Sequence, residues 1–206
     1  MSERVALIDY GAGNLRSVAN ALRAAGADAV AVTADPEIVR RADRILLPGV
    51  GAFGACASAL RGVAGMVDAL ERRVRDEGAP FLGICVGMQL LADAGEEHGS
   101  HAGLGWMGGR VLPIASADPA IRVPHMGWND VRPAAAHPLV AGGEAYFLHG
   151  YHFVVDDPAH VIALSDHGGP ITAAVAHGNI AGVQFHPEKS QRYGIAMLER
   201  FLGWRP

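Results

Sequence analysis

Four short, almost unbroken apolar runs in the first half of the chain, "RVALID", "DAVAVT", "DRILLP" and "APFLGI", constrain the fold most. A strand with one wet face alternates apolar and polar residues, whereas a strand apolar on both faces must be covered on both. Helix-like stretches separate these runs. After the first, "NLRSVANALRAAG" sets Leu15, Val18, Ala19 and Leu22 at helical spacing and stops at Gly26. Between the last two, "ACASALRGVAGMVDALERRVRDEG" reads as one or two helices. The pattern specifies βαβ units around a buried, parallel sheet.

The second half differs. "GRVLPI", "NDVRP", "AYFLHGYHFVV", "HVIALS", "ITAAVAHG" and "NIAGVQF" read as strands with short connections, and Gly178-Asn179 reads as a hairpin turn. "YGIAMLERFLGW" reads as a closing helix. With no repeat, linker or low-complexity tract, the expectation is a single α/β domain over residues 1–206. Its central sheet is mainly parallel, with an antiparallel portion in the second half.

Charge and composition exclude several classes. The net charge is −4 and no Lys/Arg block stands out, so a nucleic-acid footprint is not expected. The longest uncharged apolar window, Ile45 to Leu60, is interrupted by Pro48 and glycines, and a membrane helix needs about 20 apolar residues in a row. No signal-peptide pattern opens the chain. Its two cysteines, Cys56 and Cys85, are expected as free thiols in a reducing cytoplasm.

Cys85 has the most suggestive frame. In Gly83-Ile84-Cys85-Val86-Gly87 a strand runs into a helix-like stretch through one residue between glycines, the spacing of a nucleophile elbow with Cys for Ser. A helix starting there offers unpaired N–H groups and a positive dipole end, which favour a thiolate, and the Val86 N–H could face an oxyanion. The stretch alone fits equally a small buried apolar cysteine, and Cys56, among alanines, has only that reading. A base and its orienting group are available in "GVQFHPEKS", where Pro187 biases His186 toward extended geometry and Glu188, two residues on in an extended stretch, is expected to face the same side. In "ILLPGVGAF" the Pro48–Gly51 loop exposes main-chain N–H groups suited to an oxyanion hole or simply to a βα turn.

Together, "LPGVGAF", "GICVGMQLL" and "GVQFHPEKS", in that order, resemble the class I (triad) glutamine amidotransferases. "IDYGAGNLRSV", "GLGWMGGRV", "PHMGWNDV" and "YFLHGYHF" are similar to their branch serving imidazole glycerol phosphate synthase, so the resemblance runs from Ile8 to Ser190. It implies a flavodoxin-like three-layer α/β sandwich that hydrolyses L-glutamine through Cys85, His186 and Glu188, without cofactor or metal. The N–H groups of Val50 and Val86 are implied as the oxyanion hole. Gly51, Gln89, Glu97, Gly150 and Tyr151 are implied at the substrate, with Glu96 the rival of Glu97 at its ammonium group. A separate (β/α)8 cyclase subunit is the implied heterodimer partner, since this chain is too short for a barrel of about 250 residues. Asn14, Trp128, Tyr146 and Lys189 match positions near that contact; without the resemblance, Trp128 and Tyr146 read as core and Lys189 as a solvated charge.

One departure is Gly150, where the family commonly has a hydroxyl residue between the flanking histidine and tyrosine, His149 and Tyr151. A lost hydrogen bond of about 0.5–1.5 kcal/mol would weaken the Michaelis constant without abolishing activity. "GAGNLR" is no dinucleotide fingerprint, because Arg16 stands where a small residue is required. His149 and His152 lack the further ligands of a metal site, and His125 is expected near the active site or the interface. A glutaminase serving another synthase is disfavoured by "PHMGWN", and a non-catalytic module by the intact cysteine, histidine and glutamate.

Overall fold

The computed structural model describes residues 3–116 and 118–206. The first half alternates β1 (Arg4–Ile8), α1 (Leu15–Ala24), β2 (Ala29–Thr33), α2 (Pro36–Arg40), β3 (Arg44–Gly49), α3 (Phe53–Gly62), α4 (Met66–Leu70), β4 (Phe81–Cys85) and α5 (Val86–Gln89). α4 runs on into a wider π-type turn over Glu71–Asp76. α2 escaped the sequence reading although its start signal is present: the Asp35 side chain accepts from the Glu37 N–H, and Pro36 occupies the first turn.

The second half adds β5 (Ala94–Gly95), β6 (His101–Ala102), β7 (Gly109–Pro113), β8 (His125–Pro133), β9 (Gly143–His149), β10 (Tyr151–Val155), β11 (Val161–Asp166), β12 (Pro170–His177), β13 (Ile180–Val183) and α6 (Gln191–Gly203). Among the described residues these form a nine-stranded sheet, β2-β1-β3-β4-β13-β12-β11-β8-β9, and a four-stranded sheet, β10-β7-β5-β6. From β2 to β13 all neighbours in the large sheet are parallel, and from β13 to β9 all are antiparallel. The parallel order is that of a flavodoxin-like sheet. "AYFLHGYHFVV", read as one strand, is two: the chain leaves the large sheet at Gly150 and continues in the small one.

Burial explains three of the four apolar runs; the second forms β2, an edge strand only partly buried, with Val32 44% exposed. β3 and β4 are buried along their whole length, as parallel strands covered on both faces must be. The hairpin turns at Gly178, whose φ of +56° suits glycine. At the lower end of β3, Arg44 is only 2% exposed. It is paired with Glu3 and donates to the Phe201 and Trp204 carbonyls at 2.9 Å, tying the end of α6 beneath the sheet.

Two features position the upper end. The first is contact without side chains: a Cβ on Gly87 would lie 1.8 Å from the Leu47 carbonyl oxygen, and one on Gly83 2.4 Å from the Gly87 oxygen. α5 therefore sits directly on β3 and β4. The second is a one-way chain of hydrogen bonds through the antiparallel wing. His149 Nδ1–H donates to the Tyr151 carbonyl at 2.8 Å, so its Nε2 accepts from His125 Nδ1–H at 3.1 Å. His125 Nε2 in turn accepts from the Asn129 amide at 3.0 Å. Burial holds both rings neutral, lowering His125 to about 4 and His149 to about 3.

Two predictions follow from these contacts. Gly87→Ala should destabilise the fold by about 1–3 kcal/mol or more, whereas Gly62→Ala, with open space around the new methyl, should leave the urea midpoint unchanged or raised. Between pH 6.5 and about 4 the unfolded chain takes up protons at His125 and His149 that the folded chain refuses. The contribution of these two rings is thus fully present above pH 6.5 and falls as the pH drops, and His125→Gln should flatten this acid limb of the melting temperature.

Candidate active site

The parallel strands end level with one another. Gly49 of β3 pairs with Cys85 of β4, and Val183 of β13 pairs with Ile84. Val50 and Val86, the next residues on β3 and β4, therefore stand side by side above the sheet, and Gln184, after Val183, comes level with Cys85. At Cys85 the backbone takes φ 54° and ψ −113°. A non-glycine residue there is strained, and the flanking glycines allow it because they let α5 approach so closely. The strained elbow expected from Gly83-Ile84-Cys85-Val86-Gly87 is present. The helix after it is shorter than the sequence suggested, one turn from Val86 to Gln89. Main-chain N–H groups of Leu104, Gly105 and Trp106 take up the Leu90, Ala92 and Leu91 carbonyls instead. Its macrodipole is correspondingly small, and what it offers the sulfur is the local N–H of its first residues.

His186 follows β13 in extended conformation, as Pro187 requires, but Glu188 does not. Pro187–Lys189 form a 3-10 turn that folds Glu188 back beneath the ring, correcting the expectation of two extended residues facing one side. Glu188 Oε1 accepts from His186 Nδ1–H at 3.0 Å, which turns Nε2 toward Cys85. Both side chains are almost fully buried, at 3% and 1% exposed. Burial works against a charged imidazole here. Hydrogen bonds to Cys85 and Glu188, and their charges, outweigh it and raise His186 to about 10. The turn is clamped from β9, where the Tyr146 carbonyl accepts from the His186 N–H at 2.9 Å. Tyr146 N–H donates to Ser190 Oγ at 2.9 Å, and that hydroxyl donates to the His186 carbonyl at 2.7 Å.

A cavity of about 140 Å³ opens over the sulfur, lined by Val50, Gly51, Cys85, Val86, Gln89, Glu97, Leu148, His149, Gly150, Tyr151, His186 and Lys189. Each residue expected at the oxyanion hole or the substrate is on its wall. Of the two rival carboxylates, Glu97 lines it, accepting the Phe53 N–H at 2.7 Å, while Glu96 turns away to pair with Arg110. A Cβ on Gly150 would find its nearest atom at 3.7 Å, so a hydroxymethyl group fits there.

The expected contact residues lie beside the mouth rather than in the core. Trp128 and Tyr146 are opposite one another on β8 and β9, as are Met126 and Leu148. Trp128 is 47% and Met126 66% exposed, and the Lys189 ammonium sits 5.7 Å above the Tyr146 ring. Asn14 is half-buried at the start of α1.

Sequence reasoning missed four residues. Tyr10 donates its hydroxyl to the Pro48 carbonyl at 2.7 Å, and the Cys56 thiol meets the Val50 carbonyl at 3.4 Å, so both brace the Pro48–Gly51 loop. Ser190 and Gln184 are the others. The spacing of Gln184, two residues before His186 on an extended strand, was the available signal. Both cysteines are buried free thiols.

Known proteins match this arrangement along the whole chain. The family described as glutamine amidotransferase class-I matches residues 6–203. An imidazole glycerol phosphate synthase subunit HisH of Zymomonas mobilis is 59% identical over 208 residues, covering 100% of this chain and 98% of that one. Its counterpart in Rhodospirillum rubrum is 53% identical, covering 98% of this chain and 100% of that one. Among solved structures, PurLQS from Thermotoga maritima superposes with a TM-score of 0.76 at 20% identity, covering 98% of this chain and 99% of that one, a likeness of fold. By its family match and by relatives this similar over their full length, the chain belongs to the class-I glutamine amidotransferases, in the branch of the imidazole glycerol phosphate synthase HisH subunits.

Proposed function

We propose that the whole chain is one glutaminase domain that releases ammonia from L-glutamine for a partner cyclase of imidazole glycerol phosphate synthase, in histidine biosynthesis. The observation that carries the reading is a thiol on a strained elbow that shares one cavity with a buried imidazole oriented by a carboxylate. The Cys85 sulfur attacks the side-chain amide carbon, and the carbonyl electron pair moves onto oxygen, facing the N–H groups of Val86 and Val50. His186 gives its proton to the amide nitrogen, the C–N bond breaks, and ammonia leaves behind a thioester. His186 then takes a proton from water as it attacks the thioester, glutamate departs, and the sulfur recovers its electron pair.

Glu97 supplies a negative charge for the substrate ammonium, and Gly51, Gln89, Gly150 and Tyr151 surround the rest. No other chemistry is needed, so no cofactor or metal enters the reading. Free in neutral water, ammonia would be protonated to unreactive ammonium, which favours a partner sealed over the mouth. The surface of exposed Trp128, Met126 and Leu148 with half-buried Tyr146, continuous with the cavity through Leu148 and Lys189, suits that partner, and we assign Asn14 to the same contact. We assign the partner as a (β/α)8 cyclase subunit in a heterodimer, and the chain to the cytoplasm. Among the described residues no single helix is long and apolar enough to cross a membrane.

Purified chain should release glutamate from glutamine, and faster with the cyclase present. A glutaminase serving a different synthase would ignore the cyclase. No glutamate under either condition would overturn the reading. Cys85→Ala should abolish glutamine-dependent synthesis by the complex while added ammonia still supports it; loss of both would mean a broken interface. Gly150→Ser should lower KM for glutamine by roughly two- to tenfold, the range of one added hydrogen bond, with kcat little changed, as steady-state kinetics would report.

A further inference from the structure

We propose that Gln184 acts directly on the reacting sulfur, its side-chain N–H donating to Cys85 Sγ so that the thiolate is favoured before attack and again when it leaves the thioester. The inference rests on the glutaminase reading above. Gln184 is 0% exposed, and a buried amide is costly unless its groups are paired. Its position follows from register: Val183 lies beside Ile84, which brings Gln184 level with Cys85.

Its orientation follows from a carbonyl. Gln89 Nε2 lies 3.0 Å from the Tyr151 carbonyl, which can only accept, so that nitrogen is the donor. The same nitrogen lies 3.0 Å from Gln184, which must therefore present its oxygen to it. The Gln184 amide nitrogen is then left facing the sulfur, at 3.6 Å. Gln184, just past the end of β13, and His186, two residues on, approach the sulfur from the same strand end. A donor strengthens as its acceptor gains charge, so this contact is worth more to the thiolate than to the thiol or the thioester. In the first half-reaction the sulfur pair becomes the C–S bond as the C–N bond breaks. In the second that bond breaks and the pair returns to a sulfur the amide still faces. The same amide links Gln89, on the substrate wall, to the nucleophile.

The test follows alkylation of Cys85 by iodoacetamide against pH, with mass spectrometry separating Cys85 from Cys56. Gln184→Met keeps the shape and removes the donor. Its alkylation midpoint should rise by about one pH unit, a tenfold loss of thiolate at lower pH. kcat for glutamine should fall by about tenfold or more, with KM little changed. A merely structural role would lower the melting temperature and leave the midpoint alone, and a folded variant with the wild-type midpoint overturns the proposal. Should the variant not fold, the wild-type protein decides: the side-chain amide resonances of Gln184 should titrate with the Cys85 alkylation midpoint, and their indifference to it overturns the proposal. Neither readout needs glutamine. Failure of wild-type turnover alone would count against the glutaminase reading and leave the N–H···S contact to be judged separately.

Discussion

The main-chain contact between α5 and the ends of β3 and β4 underlies the rest of this structure. With no side chain at Gly83 or Gly87, the backbone after Cys85 lies against the Leu47 carbonyl. That closeness compels the chain to turn within one residue, and the residue at the turn holds its side chain up into the space above the sheet. Strain at Cys85 is the local cost, offset by the packing of buried strands on either side.

Around that turn the molecule assembles pieces from its two halves. The parallel strands bring the sulfur, the Val50 loop and the imidazole to one level. The second half adds, besides the β9 clamp on the His186 turn, an acceptor on β10: the Tyr151 carbonyl takes hydrogen bonds from His149 on one side and Gln89 on the other. Because a carbonyl can only accept, it fixes the direction of every bond leading away from it, through two neutral imidazoles to Asn129 and through two amides to Cys85. A buried polar network of this kind is stabilising only when every member is paired in the right sense.

The parallel half was legible because burial on both faces leaves an unmistakable run of apolar residues, and because glycines flank Cys85 at close spacing. The pairing of His186 with Glu188 was legible in identity but not in geometry. Proline fixes the residue before it and says nothing of the one after, which here curls into a 3-10 turn. Gly150 hid a change of sheet, since a continuous β-rich stretch carries no mark of which sheet each part joins. Gln184 offered only its spacing from His186, and Tyr10 and Ser190 offered nothing, for a different reason: their roles depend on partners 99, 38 and 44 residues away, and only the folded chain shows who those partners are. Which of Glu96 and Glu97 faces the cavity also needed the fold, since Glu97 lines it and Glu96 turns to Arg110.

β9 has a consequence of its own. It is the outermost strand of the large sheet, its outward side chains help form the rim, and its main chain grips the turn that carries His186. A body resting on that rim would touch the strand whose main chain holds the imidazole's turn. Doorway and imidazole thus share one support, the width of a single strand apart.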